Sequence, residues 1–386
     1  MKHAANSLAH DNVVFVGHNG AMMQRRRFLI LSILALTPTL AGCPSKPAPV
    51  GSGGVSTSDG KGGVIGPNSH SKSILAGLVT DVGGLNDKSF NASAWAGLQK
   101  AEKELGLKIK SVESRQNADY VPNLSRFGKE KYQIVFAVGG MMRDAVKEVA
   151  DKFPDTFFVL IDGEDVGLRN VRCYRFKEEE GSFLAGALAG LITKSNVIGF
   201  VGGQQMPLIE KFQYGYQYGA QTTNPNVNVL VGYAGKFNDP AKGQEVALNQ
   251  LGSRADILYH AAGGSGVGVI KAVASKTKGV WAIGVDQDQD GLAPGRVLTS
   301  MVKRVDKAVF DACEQLSRDK LDRGEVVWGL KEDGITLSEM TFTKKDIPAE
   351  ALKKLDGLKA RIIDGKLPIP TTARDYADMS KNPPTP

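Results

Sequence analysis

From Ser73 onward, short runs of Val, Ile, Leu and Phe alternate with stretches whose apolar residues recur every three to four positions. The first series pairs 74–80 with 90–105, 107–112 with 120–130 and 134–138 with 141–153, and ends on 157–161. A second series pairs 197–201 with 209–222, 227–231 with 241–251 and 257–260 with 267–275, and ends on 280–285. Unbroken apolar runs of this length suit strands buried on both faces, and the amphipathic stretches between them supply the covering helices. The pattern predicts an α/β protein with two doubly wound lobes. Beyond Val285 come a further strand–helix pair (297–301, 305–318), two strand-like runs (326–330, 335–337) and a helix near 349–363, which complete the lobes by crossing back. We place one lobe at 73–172 with 288–325 and the other at 173–287 with 326–367. The tail 368–386 ends in Pro383-Pro384-Thr385-Pro386 and is expected to be loose.

The first 72 residues follow different rules. Arg25-Arg26-Arg27 precedes an apolar run of nine, 28–36, far short of the ~20 residues a membrane-spanning helix needs. It reads as the core of a signal peptide spanning 1–43. The run leads into Leu40-Ala41-Gly42-Cys43, similar to a bacterial lipobox, whose cysteine is acylated and becomes the new N-terminus. Gln24-Arg25-Arg26-Arg27-Phe28-Leu29 also resembles a twin-arginine export signal, with Gln where Ser or Thr is usual, so the export route stays open. Residues 44–72 are rich in Pro, Gly and Ser and bury too little apolar surface to order themselves, which makes them a tether. The expected location is the cell envelope, with Cys43 as the membrane anchor.

Composition narrows the function. The 386 residues are 42% hydrophobic, with 45 Gly against 17 Pro, a globular profile. Of the net charge of +7, three units lie in residues 1–42, and the remaining +4 is too thin for a nucleic-acid partner. Three of five histidines and one of three cysteines lie within the first 43 residues, which leaves little for a metal centre or a serine–histidine relay. Cys173 and Cys313 read as buried free thiols, although export permits a disulfide.

Three loops carry candidate chemistry. Gly263-Gly264-Ser265-Gly266-Val267-Gly268 follows a strand and opens a helix, but a dinucleotide fingerprint would need Gly at Ser265 or at Val269. What remains is a set of backbone N–H groups able to meet a ligand oxygen, or simply a tight turn. Asp286-Gln287-Asp288-Gln289-Asp290-Gly291 imitates half a calcium loop, but position 12 is Val297 rather than Glu and Pro294 interrupts it. Asp286 instead sits where a strand ends, facing the crevice of a doubly wound sheet or serving as a solvated turn acid. In Asp81-Val82-Gly83-Gly84-Leu85-Asn86-Asp87-Lys88-Ser89-Phe90-Asn91 the chain leaves its first strand on an acid, with Asp87 and Ser89 competing to cap the next helix. Phe90 then faces the crevice or staples the helix to its lobe.

These segments, with Phe237-Asn238-Asp239-Pro240-Ala241-Lys242-Gly243, Ala261-Ala262-Gly263-Gly264, Gly284-Val285-Asp286-Gln287-Asp288-Gln289 and Ser300-Met301-x-Lys303-Arg304-Val305-Asp306, resemble the basic membrane protein family in order from about 73 to 320. Its members are lipid-anchored substrate-binding proteins of ATP-binding-cassette importers, typified by purine nucleoside receptors. The resemblance implies a type I periplasmic-binding fold, two Rossmann-like lobes hinged by about three crossovers and closing on a nucleoside, with no cofactor. By position, Phe90 and Phe237 would sandwich the base, Asp81 and Asn91 would meet its polar edge, and Gly264, Asp286 and Lys303 would hold the ribose. Asp162, closing the strand 157–161, would be a further crevice acid. Gly139-Gly140-Met141-Met142 departs from the smaller, more polar residues expected there. Three acids against one amine favour a neutral ligand rich in hydroxyl and N–H groups over a nucleotide. The implied partners are a purine nucleoside or related small molecule, an ABC permease and the membrane, with a monomeric state. A sugar receptor, a sensor docking a signalling partner and an extracytoplasmic nucleoside hydrolase are the alternatives, the last without a visible nucleophile–base pair.

Overall fold

The computed structural model describes residues 73–276 and 278–384. The expectations for 1–72, acylation of Cys43 and the tether among them, lie outside the described residues. The first five strands, β1 (Leu75–Thr80), β2 (Lys108–Val112), β3 (Ile134–Val138), β4 (Phe157–Ile161) and β5 (Val171–Phe176), alternate with α1 (Phe90–Leu105), α2 (Tyr120–Lys129) and α3 (Arg143–Lys152). The chain then crosses to α4 (Glu178–Ile192), β6 (Val197–Gly202), α5 (Pro207–Thr223), β7 (Asn228–Tyr233), α6 (Pro240–Gly252), β8 (Ile257–Ala261), α7 (Gly264–Ala274), β9 (Trp281–Asp286) and β10 (Val297–Lys303). It crosses back for α8 (Val305–Ser317) and β11 (Gly324–Trp328), and again for β12 (Ile335–Leu337) and α9 (Ala349–Ile363).

Two six-stranded sheets result, ordered β11-β5-β4-β3-β1-β2 and β12-β10-β9-β8-β6-β7, all parallel except the β10–β12 pair. Local chemistry delimits the elements. Gly106, at φ 72°, ends α1 in the left-handed conformation and donates to Glu102 O. Pro207 and Pro240 stand at the first turns of α5 and α6, where a missing N–H costs nothing. β3 and β8 are buried along their whole length, as strands covered by helices on both faces must be. The glycines of α4 and α5 let the two backbones touch: a Cβ at Gly219 would fall 1.9 Å from Phe183 O, and one at Gly186 2.0 Å from Tyr216 O.

Sheet membership moves the expected lobe boundaries. The expected boundaries divide the chain at 172/173, within β5, and assign 288–325 wholly to lobe 1 and 326–367 wholly to lobe 2. All of β5 and β11 pairs in the first sheet, while β10 pairs in the second. The three crossovers fall between β5 and α4, between β10 and α8, and between β11 and β12. A strand buried on both faces reads alike in either sheet, so its apolar run does not say which neighbour it pairs with. The tail also differs from expectation. Residues Ala373–Met379 form α10, capped by Thr372 accepting from Asp375 N at 3.2 Å, and Tyr376 stacks on Tyr214 of α5 with ring centroids 5.6 Å apart. Cys173 and Cys313 are free and buried, and burial pushes both thiols up to about 12. No helix among the described residues is long and apolar enough to cross a membrane.

Candidate functional site

The carboxyl ends of both sheets converge on one cavity of about 630 Å³, part of it open to solvent, lined from both lobes. Asp81 follows β1, Asp162 follows β4, Asp286 ends β9 and Lys303 ends β10, and all four line it. β4 and β9 hold the same place in their sheets, and Asp162 and Asp286 both adopt φ 65°, so the lobes present matched acids. Phe90 comes from the first turn of α1 and Phe237 from the loop between β7 and α6. Of the residues named from sequence, only Gly264 is missing from the lining. It begins α7, and its neighbour Gly263, at φ 53°, takes that position.

Asp87 takes the cap of α1, accepting from the backbone N–H groups of Ser89, Asn91 and Ala92 at 2.9–3.0 Å. Ser89 is thereby free for another role, and its Oγ donates to the Asp286 carboxylate of the opposite lobe. Asn91 spends its amide hydrogens on Asp81 (2.8 Å) and Asp87 (3.2 Å), which fixes its orientation and leaves Oδ1 buried without a partner. That edge of the cavity therefore offers an acceptor. Asp162 Oδ1 is a second buried acceptor without a partner.

Lys303, 1% exposed, pairs with Asp162 and with Glu178 (3.0 Å), and its ammonium lies 5.1 Å from the Phe90 and Phe176 ring centroids and 5.6 Å from that of Phe212. Burial works against this ammonium, but Asp162, Glu178 and Asp286 together outweigh it and keep the lysine protonated well past its ordinary range. Burial raises Asp162, with Lys303 pulling back. Burial also raises Asp81, against its bonds from Asn91 and Gly83. Asp286 is pushed up to about 6 by burial, with Lys303 and Ser89 pulling down, and Asp87 to about 6 by burial against three backbone N–H bonds.

Sequence reasoning missed Asp87 as a lining residue, the apolar wall of Met206, Leu208, Ile209 and Phe212, and Glu178 beneath Lys303. The wall was findable: α5 follows β6 as α1 follows β1, and a helix start after a parallel strand faces the crevice. Glu178 was not, because Glu178-Glu179-Glu180 at a helix start reads as a solvated match to the helix dipole. Gly139, Gly140 and Met141 also line the cavity.

Two parallel-sheet lobes joined by three crossovers, with a cavity built from both, define a two-lobed solute-binding protein. The chain belongs to the Bmp family, described as ABC transporter substrate-binding protein PnrA-like, which matches residues 74–373. Among similar proteins, a Lactococcus lactis protein called "ABC transporter nucleoside-binding protein BmpA" is 36% identical over 369 residues, 90% of this chain and 99% of its own. A Listeria innocua "CD4+ T-cell-stimulating antigen" is 35% identical over 341 residues, 83% of this chain and 94% of its own. A crystal structure of ABC transporter solute-binding proteins from Aeropyrum pernix superposes with a TM-score of 0.72 at 27% identity, covering 80% of this chain and 96% of that one. This is a family of substrate-binding proteins rather than of enzymes, and such proteins of ABC importers work outside the cytoplasm.

Proposed function

We propose that this protein captures a purine nucleoside between its lobes and passes it, as a monomer tethered through acylated Cys43, to an ABC permease. The observation that carries the reading is the pair of rings, Phe90 from the first lobe and Phe237 from the second, in one cavity with Asp81 and the unpartnered Asn91 Oδ1. A flat base suits two rings, each stack being worth about 1–3 kcal/mol, and its N–H edge suits the acceptors. Asp162, Asp286 and Lys303 offer charged partners to ribose hydroxyls. Asp81, Asp87, Asp162 and Asp286 against one ammonium leave the cavity short of positive charge, which disfavours a phosphate. The name of the Lactococcus relative supports the same ligand class.

Calorimetric titration with adenosine, guanosine, inosine, uridine, ribose and AMP tests this. Purine nucleosides should bind best and AMP poorly, and Phe237→Ala and Asp286→Ala should each weaken binding at least tenfold, about 1.4 kcal/mol. Ribose binding more tightly than every nucleoside, or AMP more tightly than adenosine, would overturn the assignment. The anchor has its own test in cells fed labelled palmitate. Wild type should take up label and Cys43→Ser should not; an unlabelled wild type refutes the lipoprotein reading.

A further inference from the structure

Gln289, in the loop after β9, is 2% exposed and does not line the cavity. Its Oε1 accepts from Val285 N–H at 3.0 Å and bonds His260 Nε2 at 2.9 Å, and its own N–H donates to Ser300 Oγ at 3.0 Å. All three partners belong to the second lobe. Because Oε1 already accepts a backbone N–H, the amide orientation is determined and the ring hydrogen sits on His260 Nε2. His260 is held neutral to match: burial pushes its pKa down to about 4. Two glycines make room for this arrangement. A Cβ at Gly284 would lie 2.6 Å from Gln289 Oε1, and one at Gly266 2.0 Å from His260 Nδ1.

With one end anchored, the other reaches across. Gln289 Nε2 donates to Lys88 O of the first lobe at 2.8 Å. Lys88 adopts φ 56°, a conformation non-glycine residues take rarely, immediately before the Ser89 that bonds Asp286. Lys88 does not line the cavity either.

We infer that Gln289 is a positioning residue for ligand capture, a bridge outside the cavity whose bond to the Lys88 carbonyl forms only when the lobes come together and so tightens binding without touching the ligand. A bond made only in the closed form enters the closing equilibrium in full, and apparent affinity follows the population of the competent form. The inference rests on capture between lobes and not on which molecule is captured.

The test is Gln289→Glu in the full chain. Glutamate keeps an acceptor for Val285 N–H and His260 but sets a carboxylate oxygen against the Lys88 carbonyl. Adenosine and guanosine affinity should fall about tenfold or more. With adenosine at saturation, hydrogen exchange should quicken at amides 87–92, in the lobe opposite the substitution. A purely local role would confine the exchange change to the second lobe, around 257–261 and 284–300, and that result or an unchanged affinity would overturn the inference. If wild type binds no nucleoside, the nucleoside reading fails, and the same exchange comparison made with ribose or AMP, whichever wild type binds, decides the inference. Gln289→Met, of similar shape and without the donor, serves if the glutamate variant does not fold.

Discussion

Replacing Lys303 by methionine is expected to destabilise the protein by about 3–5 kcal/mol at pH 8, the usual cost of leaving a buried charge without its partner. Lys303 is the ammonium that bonds both Asp162 and Glu178, each almost fully buried, and it also faces Asp286. Without it these carboxylates repel one another in a poorly solvated cluster. The sign of the pH dependence follows. Burial already raises Asp162 and Asp286, and loss of the cation raises them further, so the folded state binds protons more tightly than the unfolded one. The loss should therefore shrink as pH falls from 8 toward 5. Adding Asp162→Asn and Glu178→Gln removes the uncompensated charges and should recover much of the stability. Denaturant titrations of the single and triple variants at both pH values check this. A Lys303→Met protein as stable as wild type at pH 8 would mean that the cluster is not held together by its ammonium.

Glu179→Gln is expected to act in the opposite direction. Glu179 lies in the first turn of α4 beside Glu178, with Oε2 buried and without a partner. Burial is the main influence on it, the Glu178 carboxylate adds to it, and together they push Glu179 up to about 7 against the partial attraction of Lys211. For a carboxylate raised in the fold, the stability it contributes is present below the unfolded pKa, near 4.5, and is lost as pH rises through the folded value. Wild type therefore carries an ionised, poorly solvated group at pH 8, at a cost of about 3 kcal/mol. The variant should be more stable by up to that amount at pH 8, with most of the gap gone by pH 5. Equal stability at pH 8, or a gap that widens on acidification, contradicts the account.

What each replacement touches marks how far the sequence could be read. Asp81, Asp162 and Asp286 were legible because each stands where an apolar run stops, and in a doubly wound sheet the carboxyl ends of the strands face the crevice, whereas Lys303 was legible only through its family motif. Phe90 and Phe237 were legible through family motifs, and the structure brings both to the cavity that the acids line. Gly264, carried over from the family motif, begins α7 and does not line the cavity, whereas its neighbour Gly263 does.

The sequence by itself determined the alternation of strand and helix, the α/β class and the acids at the strand ends, since burial on both faces and helical period are local properties written into each segment. Only the tertiary structure decided that β10 joins the second sheet and β11 the first, that Ser89 gives up the cap to Asp87 and bonds Asp286, that Glu178 stands beneath Lys303, and that Gln289 reaches Lys88. The bonds Lys303–Glu178, Ser89–Asp286 and Gln289–Lys88 join residues 125, 197 and 201 apart along the chain. The physical reason is that an apolar run specifies that a strand is buried but not beside which strand, and a polar side chain specifies what it can bond but not which partner arrives. Those choices are made only when segments far apart along the chain pack together.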